Sequence, residues 1–479
     1  MSGPAPPSRG VPPDFHLVLD PAMRRTDGGR VVIGGAPLRV LRLTAAGAHA
    51  LNALAGGAAV GDAPTSQWLA RRLLDTGMAH PRPPQRPSPP SAAVVIPVRD
   101  RPAGLAATLD GLGDTAAVVV VDDGSCGPGT GLVAERAGAA VLRHDDPRGP
   151  GAARNTGAGA TDAEVIAFLD ADCVPSPGWL GPLLAHFADP AVGAVAPRVV
   201  STDRVGVPRW LREYERARSP LDRGDREGPV RPRAVVPFVP AAALLVRRRA
   251  FDDVGGFDEG LRTGEDVDLV WRLHEAGWTV RYDPSVRVGH PPRPDTGAWL
   301  AQRYAYGKSA APLAARHGAA VAPLTVSAWS ALAWALVGTR RAAAGAAIGV
   351  GTTLLLARRL GGLEHPWREA FTLAGRGHVA AGRLCADAVR RSWWPVAVPL
   401  ALSWRRARPG VAAAFVVPPL VEWVTGRPAL GAGTWVGARV ADDLAYGAGV
   451  WVGAAGARSP AALRPDLSNW PGRRAAVEH

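Results

Sequence analysis

Three apolar, β-branched runs that each close on acid constrain this chain more than any other feature. "AAVVIPV" (92–98) leads into Arg99 and Asp100, "AAVVVVDD" (116–123) ends in Asp122 and Asp123, and "EVIAFLDAD" (164–172) ends in Asp170 and Asp172. None alternates apolar with polar residues, so each suits a strand covered on both faces, as in a parallel sheet. Helical stretches, including 103–111 and 150–160, lie between them. The order is βαβαβ, and right-handed crossovers bring such strands to one edge by their C-terminal ends. Open α/β sheets bind ligands along that edge. The expectation is an α/β fold with its chemistry at the acidic strand ends.

Asp170 and Asp172 stand two apart, and residues two apart in an extended chain share a side. Turn formation before Pro175 and Pro177 explains an isolated Asp there, and D-x-D alone is a weak signal. A hard divalent cation explains two, because Mg2+ and Mn2+ take oxygen ligands. Between the second and third runs lies "RGPGAARNTGAG" (148–159), whose glycines permit close backbone approach and whose Arg154 suits a diphosphate. "EDVDLVWRL" (265–273) reads as a helix start with its acids where the dipole favours them. Capping accounts for Asp268 or Glu265, and Arg272 pairs with Asp268 four residues earlier. One carboxylate is then left to act as a base. "VRVGH" (286–290) closes another strand-like run on His290. A single histidine is more often structural than a ligand, but this one ends a strand near the acids.

The chain has 479 residues, room for two to four domains of roughly 100–200 residues each. Its net charge of +13 comes almost wholly from arginine, with Lys308 the single lysine. Such charge is compatible with nucleic acid, an anionic membrane surface or a phosphorylated substrate; it is too diffuse to be a specific signal, and no nucleic acid is expected as a partner. Cys126, Cys173 and Cys385 are far apart and odd in number, which excludes a disulfide framework or zinc site and fits a reducing cytosol. "MSGPAPPSRGVPPDF" has no apolar centre and is not a signal peptide.

A proline-rich linker, "PRPPQRPSPP" (81–90), sets off a small N-terminal segment, residues 1–80. There a hairpin-like "RTDGGRVVIGG" precedes two short helices in "RVLRLTAAGAHALNAL" and "SQWLARRLLDTGMAHP". Toward the C-terminus, "AAVAPLTVSAWSALAWALVG" (319–338) is uncharged for 20 residues, enough to span a bilayer core of ~30 Å. "AAAGAAIGVGTTLLLA" (342–357), "WWPVAVPLALSW" (393–404) and "GVAAAFVVPPLV" (410–421) follow, with Trp329, Trp334, Trp393, Trp394 and Trp404 as interface anchors. Residues 311–479 are read as an apolar helical region associated with the membrane; a buried Ala-rich helix pair is the competing reading.

Taken together and in this order, "VVIPVRD", "VVVVDDGS", "RGPGAARNTG", "AFLDADCVP" and "GEDVDLVWRL" resemble glycosyltransferase family 2, over residues 91–310. The resemblance implies a GT-A fold, the Rossmann-like fold of nucleotide-diphospho-sugar transferases. It also implies an inverting enzyme that uses Mg2+ or Mn2+ and a nucleotide sugar. Under it, Pro97, Arg99, Asp122 and Asp123 belong to the nucleoside pocket, and Arg154 meets the base or diphosphate. Asp170 and Asp172 form the D-x-D that binds the nucleotide sugar and metal, with Asp172 the more direct ligand. Asp266 is the catalytic base, and His290 matches a metal-ligand position. "FVPAAALLVRRRAF" (238–251) is placed on the acceptor side.

The whole-chain layout is similar to the mycofactocin-system glycosyltransferases of actinobacteria. That similarity implies transfer of a hexose, glucose from UDP-glucose, to a peptide-derived redox cofactor or its precursor, at the cytoplasmic face of the cell membrane. The N-terminal segment loosely resembles winged-helix-like peptide-recognition domains, with a plain packing module as the equal alternative. Transfer to a polyprenyl phosphate or cell-envelope glycan, and an inactive sugar-nucleotide-binding scaffold, remain as other readings.

Overall fold

A computed structural model describes residues 10–85, 88–113 and 116–467. Two residues of the proline-rich stretch, 86 and 87, and the end of the C-terminal region, 468–479, lie outside the described residues. In the N-terminal segment, β1 (His16–Leu19), β2 (Arg24–Thr26), β3 (Val31–Gly34) and β4 (Arg39–Arg42) precede α1 (Ala45–Ala55), α2 (Pro64–Thr76) and β5 (Ala79–Arg82). The hairpin-like run makes the β2–β3 turn, and β4 completes an antiparallel meander. "RVLR" is therefore strand where a helix start is the expectation from sequence. Leu41 points into the core while Arg39 and Arg42 stay exposed, and the helix waits for Thr44, whose hydroxyl accepts from Gly47 N at 3.1 Å. Val32, Leu51, Leu54, Leu69, Leu73 and Met78 close a small core.

The proline-rich stretch begins later than its composition suggests. Pro81 and Arg82 belong to β5, paired antiparallel with β1 in a two-stranded sheet. Proline is tolerated there because the strand has a free side for its missing N–H. The N-terminal segment is also fastened to the rest of its unit: Arg71 donates to both oxygens of Asp189 at 2.9 and 3.0 Å. Arg231 donates to Ala36 O at 3.1 Å.

Beyond the linker come β6 (Ala92–Val98), α3 (Pro102–Leu112), β7 (Ala117–Asp123), α4 (Gly129–Arg136), β8 (Ala140–His144), α5 (Pro150–Gly159) and β9 (Val165–Leu169). These are the parallel half of the sheet, in register Val98↔Asp122 and Asp123↔His144. Gly157 lets α5 lie directly on this half. A Cβ there would strike Val95 and approach Val121 Cγ2 to 3.0 Å. The remaining elements are β10 (Val174–Pro175), α6 (Leu180–Ala185), β11 (Val192–Ser201), α7 (Arg209–Arg218), β12 (Gly228–Pro229), β13 (Ala243–Arg247), α8 (Arg248–Asp253), α9 (Glu265–Glu275) and β14 (Thr279–His290).

The sheet order is β10-β14-β11-β13-β9-β6-β7-β8, with β12 also on β14. β13 is antiparallel to both β9 and β11, and β14 is parallel to β11. Two reversals restore the original sense, so β14 runs parallel to β9 and ends at the same edge. This mixed α/β sheet is the architecture expected of a GT-A domain. The segment 243–246, expected beside an acceptor, is instead an inner strand with no exposed surface. Only the approach to it, 237–242, reaches the strand-end edge, where Asp170 N donates to Ala242 O at 3.0 Å.

Backbone contacts divide the chain into two units: residues up to 204 with 218–292, and residues 205–217 with those from 293 onward. The second unit is helical, with α10 (Thr296–Lys308), α11 (Ala310–His317), α12 (Ala328–Gly338), α13 (Ala342–Arg359), α14 (Pro366–Arg391), α15 (Trp394–Ser403), α16 (Arg408–Gly426) and α17 (Ala432–Gly456). Buried ions tie it together. Asp443 accepts from Arg390 Nε at 2.5 Å, Arg439 Nη1 at 2.9 Å and Arg391 Nη1 at 3.0 Å. Asp442 accepts from Tyr214 Oη at 2.7 Å and Arg303 Nε at 3.0 Å.

The expectation of a spanning helix over 319–338 fails. Pro323 keeps the chain irregular, Thr325 bridges to Asp466, and Ser327 caps a helix of only 11 residues at Ala328. At 1.5 Å per residue it reaches about 16 Å, half of what a bilayer core needs. Among the described helices one, Arg408–Gly426, is long and apolar enough to cross a membrane.

Candidate active site

The strand ends build the site from the backbone outward. Asp122 closes β7 nearly fully buried, its oxygens accepting from Ser125 N at 2.9 Å and Arg143 Nη1 at 2.7 Å. Asp123 accepts from His144 Nδ1, Arg148 N and Gly149 N, each at 2.8 Å. Burial opposes its charge, but these donors more than compensate and hold its pKa below the usual carboxylate range. Asp123 thus shapes the loop that leads into α5, and His144 passes the connection on to Thr156 Oγ1 at 2.9 Å. Pro97 is half-buried near the end of β6, while Arg99 is exposed with its Nε 3.5 Å from Asp100.

Arg154 is not where its expected ligand contact would put it. In place of a guanidinium open to a diphosphate, the structure buries it to 4% exposure and commits both terminal nitrogens. Nη2 donates to Asp170 Oδ1 at 2.7 Å and Nη1 to Glu265 Oε1 at 2.8 Å. The guanidinium also lies 5.3 Å from the Phe257 ring centroid. Burial disfavours its charge; Asp170 and Glu265 outweigh that and raise its pKa. Glu265, which capping alone explains in the sequence, is therefore the second anchor of Arg154.

Asp172 lies past the end of β9. One oxygen accepts from Arg101 Nη1, and the other is 3.4 Å from His290 Nε2. His290 reaches it because β10 pairs with β14 in register Val174↔Gly289. The structure thus brings Asp172 and His290 together and commits one oxygen of Asp170 to Arg154. Arg101 carries no distinctive sequence pattern; only the fold reveals its contact.

Among the described residues no three His, Cys, Asp or Glu side chains gather to form a cage for a metal ion. Asp172 and His290 nevertheless form a mixed oxygen and nitrogen pair close enough to share one cation. That suits a Mg2+-like ion, which binds through one or two protein ligands and completes its shell with substrate phosphates and water.

Asp266 opens the first turn of α9 beside Glu265. Its Oδ1 accepts from Val267 N at 2.8 Å and its Oδ2 from Ala241 N at 3.3 Å. No cation pairs with it directly among the contacts described. Burial, then the neighbouring Glu265 charge, push its pKa up to about 7. Asp268, by contrast, is fully buried and held by Arg272 Nε at 2.7 Å, the i,i+4 pair expected. The site therefore brings together a pair of side chains able to hold a cation and a carboxylate whose raised pKa would let it take a proton near neutral pH.

Residues 93–255 match the family described as Glycosyl transferase family 2. Over 469 residues the chain is 41% identical to pre-mycofactocin glycosyltransferase of Mycobacterium tuberculosis, covering 95% of this chain and 98% of that relative. Glycosyltransferase AglE of Haloferax volcanii is 30% identical over 230 residues, 46% of this chain and 72% of that protein. A solved mannosyltransferase from Pyrobaculum calidifontis, in complex with GDP-Man and Mn2+, is 18% identical with a TM-score of 0.38, covering 64% of this chain and 89% of that one.

Replacing Arg154→Met keeps side-chain length but leaves Asp170 and Glu265 without their shared cation. Breaking a buried ion pair costs roughly 3–5 kcal/mol. Asp170 is 31% exposed, which places the expected loss at the lower end. Urea unfolding should show it as a lowered midpoint with an unchanged slope.

Proposed function

Because the chain belongs to glycosyltransferase family 2, in the group of the pre-mycofactocin glycosyltransferases, we propose that it moves glucose from UDP-glucose to a hydroxyl of the peptide-derived redox cofactor mycofactocin or its precursor. The reaction is a metal-dependent transfer with inversion at the anomeric carbon. One observation carries the chemistry: Asp266, its pKa raised to about 7, follows Glu265, which Arg154 joins to Asp170, two residues before Asp172 of the Asp172–His290 pair. Arg154 thus links the two halves of the site. The acceptor follows from likeness to the mycobacterial relative along nearly the whole chain.

In this mechanism the donor lies along the strand ends, with its nucleoside toward Pro97, Arg99 and the Asp122–Asp123 loop. A divalent cation, Mg2+ or Mn2+, held by Asp172 and His290 would supply Lewis-acid stabilisation to the departing nucleoside diphosphate. Asp266 accepts the proton of the acceptor hydroxyl as its oxygen attacks C1 from the face opposite the leaving group. A single displacement then inverts the configuration. Glu265, bound to Arg154, keeps the first turn of α9 in place, and its charge raises the proton affinity of Asp266.

The C-terminal helices support a place at the cytoplasmic face of the cell membrane. Large apolar side chains stand in solvent there, among them Trp367 at 52%, Phe371 at 64% and Leu402 at 71% exposure. Arg340, Arg341, Arg358, Arg359, Arg405 and Arg406 lie in the same part of the chain. Exposed apolar surface with flanking arginines fits an anionic lipid surface, which also keeps a polyprenyl phosphate acceptor in play.

Mass spectrometry of products from a panel of sugar nucleotides, offered to mycofactocin precursor and to polyprenyl phosphate with Mn2+ or with excess EDTA, tests this reading. Glucosylated precursor formed only with the metal supports it; a glycosylated lipid alone, or product in EDTA, overturns the acceptor or the metal assignment respectively.

Asp266→Asn should retain UDP binding in calorimetry and lose at least a hundredfold in turnover, within the 10²–10⁴ that general base catalysis typically contributes. The carboxylate is active only when deprotonated, and its pKa is raised. Wild-type turnover should therefore be full above pH 8 and fall about tenfold per unit below about 7. Full-length protein should float with vesicles containing 30 mol % anionic lipid, roughly that of an anionic leaflet, and less so in 0.5 M salt, where screening is strong.

A further inference from the structure

One cation of the site has no part in the reaction as described. Arg101 closes the turn after β6, immediately before Pro102 opens α3. Its Nη1 donates to Asp172 Oδ2 while the other oxygen of that carboxylate faces His290. The Arg101 side chain is 49% exposed and Asp172 only 15%. The guanidinium thus reaches in from solvent to an acid that is mostly covered. An exposed arginine gains little from one such pair and keeps ample freedom to leave it. Arg154 differs: buried and doubly bound, it is a fixed part of the frame.

Arg101 and a divalent cation cannot share Asp172 on equal terms. Both are positive, both seek the same carboxylate, and they would sit within a few ångströms of each other. Repulsion between the two charges favours release of the guanidinium as the cation binds, and whatever stabilises the displaced guanidinium favours cation binding. A diphosphate does so well, because its oxygens match the arginine fork. We propose that Arg101 is an internal counter-ion that occupies Asp172 before the donor binds and transfers to the donor diphosphate when the cation takes its place. The inference rests on the reading of Asp172 and His290 as cation ligands. Its consequence is coupling: the empty protein binds the cation weakly, the nucleotide strengthens that binding, and by linkage the cation strengthens nucleotide binding by the same factor. A protein built this way takes up cation and donor together and is not loaded with metal alone.

Free Mn2+ measured by its paramagnetic resonance signal, with and without UDP, tests this in wild type, Arg101→Gln, Arg101→Lys and His290→Ala. Without UDP, R101Q should bind Mn2+ at least about fivefold more tightly than wild type, the lower end of ordinary coupling. On adding UDP, R101Q should gain less than wild type, so that its coupling factor falls by a similar amount. R101K, which keeps the charge, should stay near wild type without UDP. H290A should weaken Mn2+ binding in every condition. If R101Q and wild type bind Mn2+ equally without UDP while H290A weakens both, the cation reading stands and the counter-ion role is overturned. If wild type binds no Mn2+ even with UDP, the cation reading falls and takes this inference with it. Thermal unfolding of R101Q should match wild type, because the side chain is half in solvent.

Discussion

The candidate site depends on one buried guanidinium. Arg154 joins the loop after β9 to the first turn of α9 by two charge-assisted bonds of 2.7 and 2.8 Å. These segments lie far apart in sequence, and no strand pairing connects them directly. Arginine can do this because its planar fork presents two nitrogens in fixed directions at once, while an ammonium is a single point charge. Burying the group costs desolvation, offset only because each nitrogen meets a carboxylate. Gly157, one turn later on the same helix, lets α5 approach the sheet closely enough for Arg154 to reach.

A second constraint is parity in the sheet. The parallel half alone places its strand-end histidine, His144, against Asp123 and not beside Asp172. β13 runs backwards beside β9, and β11 runs backwards beside β13, so β11 and β14 recover the first direction. His290 therefore ends at the edge where Asp172 begins its turn. The same reversal brings residues 241 and 242 past the site, where their backbones hold Asp266 and Asp170. An antiparallel strand in the middle of a sheet is here the device that lets one edge gather residues from both halves.

The sequence displays β6, β7 and β9 clearly because they are inner strands with an unbroken apolar pattern, whereas the edge strand β8, partly exposed and ending in Arg143 and His144, carries no such run. β6 and β9 fall within a few residues of the runs "AAVVIPV" and "EVIAFLDAD". It displays much less where long-range pairing decides. Arg154 has the composition of a ligand-binding arginine in a glycine-rich loop, and nothing local shows that Glu265, 111 residues away, will claim it. Arg101 is one arginine among many in an arginine-rich chain, and only the approach of Asp172 distinguishes it. At the C-terminus, the uncharged run 319–338 has the hydropathy of a membrane span. Its length as a helix is limited by Pro323, the Ser327 cap and the bridge to Asp466, the last a tertiary contact that hydropathy does not register.

The adjacent acids Glu265 and Asp266 show how position separates two chemically similar groups. Both open α9, where the helix dipole favours negative charge. Glu265 turns toward Arg154 and pairs with it at 2.8 Å. Asp266 accepts from two backbone N–H groups and lies, partly buried, beside the Glu265 charge. Burial and that neighbour raise its pKa to about 7, whereas Arg154 and the backbone donors limit the rise. A general base works best when its pKa lies near the operating pH, and a carboxylate far above 7 would be protonated most of the time at neutral pH. Arg154 acts on both: it fixes Glu265, and through its charge it keeps Asp266 from rising further. The pairing that assembles the site thus also limits a rise in proton affinity that burial drives. A substitution at Glu265 would change the basicity of Asp266 even if the backbone of α9 stayed in place.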